Sequence, residues 1–104
     1  METSALGRFA EPAVLILSSL AGGDKHGYAL VKDIEQFAGV RLGPGTLYGA
    51  LGRLEERGLV EPLESEDRRR PYRITRAGTQ ALAAYLHQAR AVVHAGLTRL
   101  AGAT

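Results

Sequence analysis

Apolar positions recur at helical spacing in four stretches of the chain, with one short interval between the third and fourth where the spacing is that of strands. Glu11-Pro12 precede the run Ala13-Val14-Leu15-Ile16-Leu17. Proline suits the first helical position and an acid suits a helix N-terminus, so a helix starts here, and Gly22-Gly23 end it near Leu20. A second helix is predicted over residues 27–38, with Leu30, Ile34, Phe37 and Ala38 on one face, Lys32, Asp33, Glu35 and Gln36 facing outward, and Gly39 just past its end. The third begins at Gly43-Pro44, gathers Leu47, Ala50, Leu51 and Leu54 on one face, and stops at Gly58 in the C′ position.

The period then shortens. Leu59-Val60-Glu61-Pro62-Leu63-Glu64 and Pro71-Tyr72-Arg73-Ile74 have strand length, and a polar turn from Ser65 to Arg70 joins them into a hairpin with a basic tip. Thr75 is placed to cap a last helix over residues 76–100, whose apolar stripe is Leu82, Leu86, Ala89, Val93, Leu97 and Leu100. The predicted class is mainly α with a small β-hairpin, and the element order is that of a winged helix-turn-helix followed by a long C-terminal dimerisation helix. Residues 1–75 form the DNA-binding unit in this reading and residues 76–104 the dimerisation helix, one compact domain in all.

Composition narrows the function. The chain has 104 residues and no cysteine, which excludes disulfides, thiolate metal sites and a cysteine nucleophile and points to the cytoplasm. A chain this short buries only roughly 65% of its unfolded surface, so a partner subunit would help it. The apolar run from Ala13 falls short of the roughly 20 residues that cross a bilayer, and Glu2 and Glu11 do not suit a signal peptide. The net charge of +2 is unevenly spread: residues 1–40 sum to −2, residues 41–73 to +1, and residues 74–104 carry three arginines and no acid. Arginine outnumbers lysine 11 to 2, which suits planar phosphate and base recognition and equally follows from a GC-rich coding sequence.

The residues also carry a resemblance. His26-Gly27-Tyr28, the run from Gly43 to Val60 that reads "PGTLYGALGRLEERGLV" from Pro44, and Arg69-Arg70-Pro71-Tyr72-Arg73-Ile74-Thr75-Arg76-Ala77-Gly78 resemble the PadR family of bacterial transcriptional regulators, over roughly residues 12–100. The length and single C-terminal helix are similar to its short subgroup. The resemblance implies a homodimeric repressor of target promoters, often its own, with the last helix supplying much of the dimer interface. Two departures stand out: Gly49 replaces a proline common in the family, and the chain has no tryptophan, on which multidrug-binding members stack planar ligands.

Read residue by residue, the third helix leaves Gly45, Thr46, Tyr48, Gly49, Gly52 and Arg53 outside its core stripe. Three glycines in one helix cost roughly 2–3 kcal/mol relative to alanine, a cost offset either by close approach to DNA or by packing against the first helix. Pro44 and Gly45 open the helix, and Thr46 near its N-terminus either contacts DNA or caps the backbone. Tyr48 either reaches a phosphate or thymine methyl or edges the core. His26 and Tyr28 begin the second helix, where free amides favour a phosphate; alternatively His26 only caps it and Tyr28 packs on the third helix. Arg68, Arg69 and Arg70 in the turn, with Arg73 on the returning strand, either follow a phosphate strand or form a solvated turn partly neutralised by Glu64, Glu66 and Asp67.

A 25-residue last helix spans roughly 37 Å, more than one small domain covers, so something must bury Val93, Leu97 and Leu100. A second copy does so most economically, and its twofold axis would set two recognition helices one turn of DNA apart on a pseudo-palindromic operator. The alternative is an amphipathic tail held by the monomer or another protein. His87 and His94 share one side of that helix, but no acid accompanies them, and neither a metal site, a cofactor nor an enzyme is expected. The expected function is a DNA-binding repressor, with a small-molecule effector left open. A winged-helix protein-interaction module without a DNA-reading role is the alternative.

Overall fold

The computed structural model describes residues 11–65 and 68–103. The expectation about an N-terminal leader and the two acids at 66 and 67 fall outside the described residues. The elements are α1 (Pro12–Ala21), α2 (Gly27–Ala38), α3 (Pro44–Glu56), β1 (Val60–Pro62), β2 (Tyr72–Ile74) and α4 (Arg76–Gly102). This is a mainly helical winged helix-turn-helix with a two-stranded antiparallel hairpin and a long last helix.

α1 is apolar nearly all round because it lies at the centre, touching α2, α3, α4 and β2. Leu15, Ile16, Leu17 and Leu20 join Leu30, Ile34, Leu42, Leu47, Ala50, Leu51, Leu54, Val60 and Leu82 in one core. Each fully buried Leu or Ile contributes about 1.5–3 kcal/mol, so this cluster dominates the fold's stability. Two residues of α2 depart from the predicted pattern. Phe37 stands 51% exposed instead of on the core face, because periodicity marks a stripe but not how far along it a neighbour reaches. Asp33, predicted to face outward, is half-buried because Ser19 Oγ donates to its Oδ2 at 2.6 Å, and Ser19 is itself buried in the helix interface. Lys25 Nζ completes this link, donating to the Ser19 carbonyl at 2.6 Å and lying 3.9 Å from Asp33.

α3 ends in a Schellman motif: Gly58 at φ 75° donates to the Glu55 carbonyl at 2.9 Å, and Leu59 donates to the Leu54 carbonyl at 2.9 Å. The strands are shorter than the sequence predicts, three residues each, with Val60 opposite Ile74, Glu61 opposite Arg73 and Pro62 opposite Tyr72. Pro62 and Pro71 have no N–H to give, so the ladder closes after one more bond, from Leu63 to the Pro71 carbonyl at 2.8 Å. The sequence did not predict a third partner. Lys25 and Tyr72 exchange backbone bonds of 3.2 and 2.9 Å, which tie the wing to the loop before α2.

Thr75 starts α4 as predicted: its Oγ1 accepts from the Gly78 amide at 3.0 Å and donates to the Gly58 carbonyl at 2.6 Å. Gly78 lies so close to the Leu59 carbonyl that a Cβ there would overlap it and come within 2.9 Å of Ile74 Cγ1. α4 therefore begins pressed onto the hairpin. Leu82, counted with the partner-seeking stripe, is instead buried in the chain's own core, because this first part of α4 lies over α1. Beyond it Tyr85, Leu86, Val92, Val93, Leu97 and Leu100 are exposed, 43–70% each.

Candidate nucleic-acid interface

At about 100° per residue, Gly45, Gly49, Gly52 and Glu56 fall on the line of α3 opposite its core stripe, with Tyr48 on one flank and Arg53 on the other. Side chains at Gly45 and Gly52 would meet nothing within 4 Å, and one at Gly49 would meet only Arg53 Nη1 at 3.6 Å. Packing against α1 therefore does not explain the three glycines, and the outward backbone of α3 lies open. Thr46 is exposed on this helix's first turn, and the N-cap, Gly43, offers no side chain to the free amides. Among the described residues no side chain caps the start of α3.

His26, Gly27, Tyr28 and Tyr48 meet Arg68, Arg69, Arg70 and Tyr72 around a cleft of about 320 Å³. Three segments, each more than 15 residues from the next, thus converge beside α3. His26 caps α2, its Nδ1 accepting from the Ala29 amide at 3.4 Å. That bond requires the tautomer with hydrogen on Nε2, which leaves this atom free to donate. Tyr28 is 65% exposed, not packed on α3, and Lys32 Nζ lies 5.8 Å from its ring centre. Tyr48 is 53% exposed and lies across Gly27, where a Cβ would collide with its hydroxyl. The small residue between His26 and Tyr28 is therefore the seat of the Tyr48 ring.

Tyr72 is a cleft residue that the sequence reading placed only in a strand. Burial, then the nearby Glu55 carboxylate and Tyr48, push its hydroxyl above the usual tyrosine range, with Arg70 opposing them. It stays a neutral donor. Arg73, one residue on, is not in the cleft: strand alternation turns it to the other face, where it lies 3.7 Å from both Asp24 and Glu61. The period-two pattern of the strand was the available signal for both. Arg53 likewise stays outside the cleft and lines a hollow with Arg57 and the start of α1. Pro44 lines a wider hollow of about 590 Å³ between α2 and α3.

On α4, Tyr85, Gln88, Ala89, Val92 and Val93 surround a shallow hollow of about 250 Å³. Tyr85 and Val92 widen the apolar face beyond the predicted stripe. Their spacing of seven was the overlooked signal. Among the described residues no group of three or more His, Cys, Asp or Glu side chains could hold a metal, and no helix is long and apolar enough to cross a membrane.

An exposed third helix and a basic wing, with polar side chains beside them, are the arrangement of winged helix-turn-helix proteins. The profile of the transcriptional regulator PadR-like family matches residues 16–84, and the chain belongs to that family. The family is one of transcription regulators, not enzymes, and DNA is what such regulators bind. Among solved structures, a transcriptional regulator from Clostridium thermocellum superposes with a TM-score of 0.75 at 26% identity, covering 91% of this chain and 93% of that one. A PadR family regulator from Clostridium difficile gives 0.74 at 27% identity over 81% and 92%. One from Eggerthella lenta gives 0.72 at 32% identity over 85% and 79%. An uncharacterized 37.1 kDa protein in transposon TN4556 of Streptomyces fradiae is 50% identical over 80 residues, 77% of this chain. The match spans 23% of that relative's length.

Proposed function

We propose that the chain is a homodimeric repressor that binds a pseudo-palindromic operator. The observation that carries this is the convergence of His26, Tyr28, Tyr48, Arg68, Arg69 and Arg70 on one cleft beside the open N-terminal turns of α3. In this reading Pro44, Gly45, Thr46 and Gly49 bring the α3 backbone into the major groove, and Tyr48 and Arg53 reach out from its flanks. The wing arginines, with His26 Nε2 and Tyr28, hold phosphates on the cleft side. Arg73 supports the wing through its two acidic neighbours.

The exposed apolar face of α4 supports the dimer. Leu86, Ala89, Val93, Leu97 and Leu100, widened by Tyr85 and Val92, form a surface that a second copy buries about a twofold axis. Residues 11–75 serve as the reading head and α4 as the spacer. Any effector would relieve repression by changing the distance or angle between the two α3 helices through that interface, since tight binding needs both half-sites engaged together.

Fluorescence anisotropy with the duplex upstream of the protein's own coding sequence and a scrambled duplex, at three salt concentrations, tests this. The expected result is at least tenfold preference for the native duplex, with affinity falling as salt rises through counterion release. Equal weak binding to both overturns it.

A further inference from the structure

The wing cleft accounts for one flank of α3. A helix that enters a major groove about 12 Å wide is bordered by two phosphate strands, so its other flank also faces an anion. That flank carries Arg53 and Arg57, on the side of the glycine line away from Tyr48. The two arginines line a hollow of about 220 Å³ whose opposite wall is the start of α1, Pro12 and Ala13, with Glu11 at the rim. Both are exposed, and among the described residues neither forms an ion pair, whereas Arg41 and Arg73 do. Arg53 arches back along α3 toward Gly49, where the missing side chain leaves it room at the edge of the glycine line.

We propose that Arg53 and Arg57 form a second phosphate clamp, which grips the DNA strand on the far side of the groove from the wing. It rests on the DNA-binding reading above and adds a contact, Arg57, that the sequence did not single out. Arg57 sits at the C-cap of α3, where the turn at Gly58 fixes its backbone. A guanidinium there presents donors to a phosphate in a planar fork, and the N-terminal end of α1 adds a weak positive field. The Glu11 carboxylate works against the clamp, because phosphate entering the hollow approaches a like charge. Removing each charge therefore has effects of opposite sign.

The test compares the full chain with Arg57→Gln, Arg57→Lys, Glu11→Gln and Arg68→Gln, by anisotropy over a salt series on both the native upstream duplex and the scrambled one. Thermal unfolding by circular dichroism checks that each variant folds. Arg57→Gln lowers the slope of log affinity against log salt by about 2 per dimer, equally on both duplexes, since one phosphate contact is lost in each subunit. Arg57→Lys restores the slope, and Glu11→Gln tightens binding about two- to fivefold, in line with removing a like charge near a phosphate. The double variant Arg57→Gln/Arg68→Gln loses slope additively, as two independent phosphate contacts require. An unchanged slope in folded Arg57→Gln, with a reduced slope in Arg68→Gln, overturns the clamp and leaves the DNA reading standing. Should Arg57→Gln not fold, unchanged affinity in Glu11→Gln overturns the clamp. Failure of the unaltered protein to bind either duplex at low salt overturns both.

Discussion

Gly27 and Tyr48 belong to different helices, yet each explains the other: the ring of Tyr48 occupies the space a side chain at residue 27 would fill. Gly27→Ala collides with the far end of the exposed, movable Tyr48 side chain and otherwise meets Leu47 Cδ2 at an ordinary contact distance of 3.4 Å, so it changes stability by less than about 1 kcal/mol. It displaces Tyr48 from the cleft, and operator affinity falls several-fold, readable by denaturant unfolding alongside anisotropy. Gly78→Ala behaves oppositely. There the added carbon meets the Leu59 carbonyl and Ile74, which cannot swing away, and the cost is about 1–3 kcal/mol of stability. Tyr72 has its own signature. Its hydroxyl ionises above the ordinary tyrosine value because burial disfavours the anion. The folded state then holds the proton more tightly than the unfolded chain, so this contribution is intact below about pH 10 and is lost as pH rises through the raised value. Tyr72→Phe flattens the alkaline fall in stability, measured as melting temperature against pH.

Among the elements, the wing and α4 divide the work. The wing is short and held at three points: its own ladder, the Lys25 bridge and the paired Arg73. Its arginines are expected to act by charge, so Arg68→Gln together with Arg70→Gln weakens binding to native and scrambled duplexes alike and lowers the salt slope. Melting temperature changes little, because exposed charges contribute little to stability. α4 depends on apolar area instead. Its first turns are fixed by Thr75, Gly78 and Leu82, and the rest leaves Val93, Leu97 and Leu100 exposed, the face that the proposed dimer would bury. Leu97→Asp would bury an unpaired charge in that interface, and light scattering is expected to report a monomer whose fold by circular dichroism is unchanged.

At the scale of the whole molecule, the proposed dimer makes operator affinity depend on both elements at once. The chain extends 58 Å along its longest axis against 20 Å along its shortest, with the reading head at one end and the free apolar face of α4 beyond it. Joining two such chains converts the second half-site contact into an intramolecular event, an avidity gain of about 10²–10⁴. The Leu97→Asp monomer is therefore expected to bind the native duplex at least a hundredfold more weakly while its binding to the scrambled duplex changes far less. Comparable losses on both duplexes would mean that the dimer does not set specificity.

The sequence determined every helix to within two residues, the hairpin, the N-cap of α4 and the family, because periodicity, Pro12, Pro44, Gly39, Gly58 and Thr75 act through local backbone physics. It also named most of the wing cleft, through residue types suited to phosphates. Tertiary structure decided the rest. It buried Leu82 and exposed Phe37, because a stripe shows which face is apolar and not what covers it. It turned Asp33 onto Ser19 and added Lys25 as a third strand partner. It brought Arg57 beside Arg53 at the start of α1. Each of these depends on which residues distant in the chain come within a few ångströms of one another, and no local pattern encodes that distance.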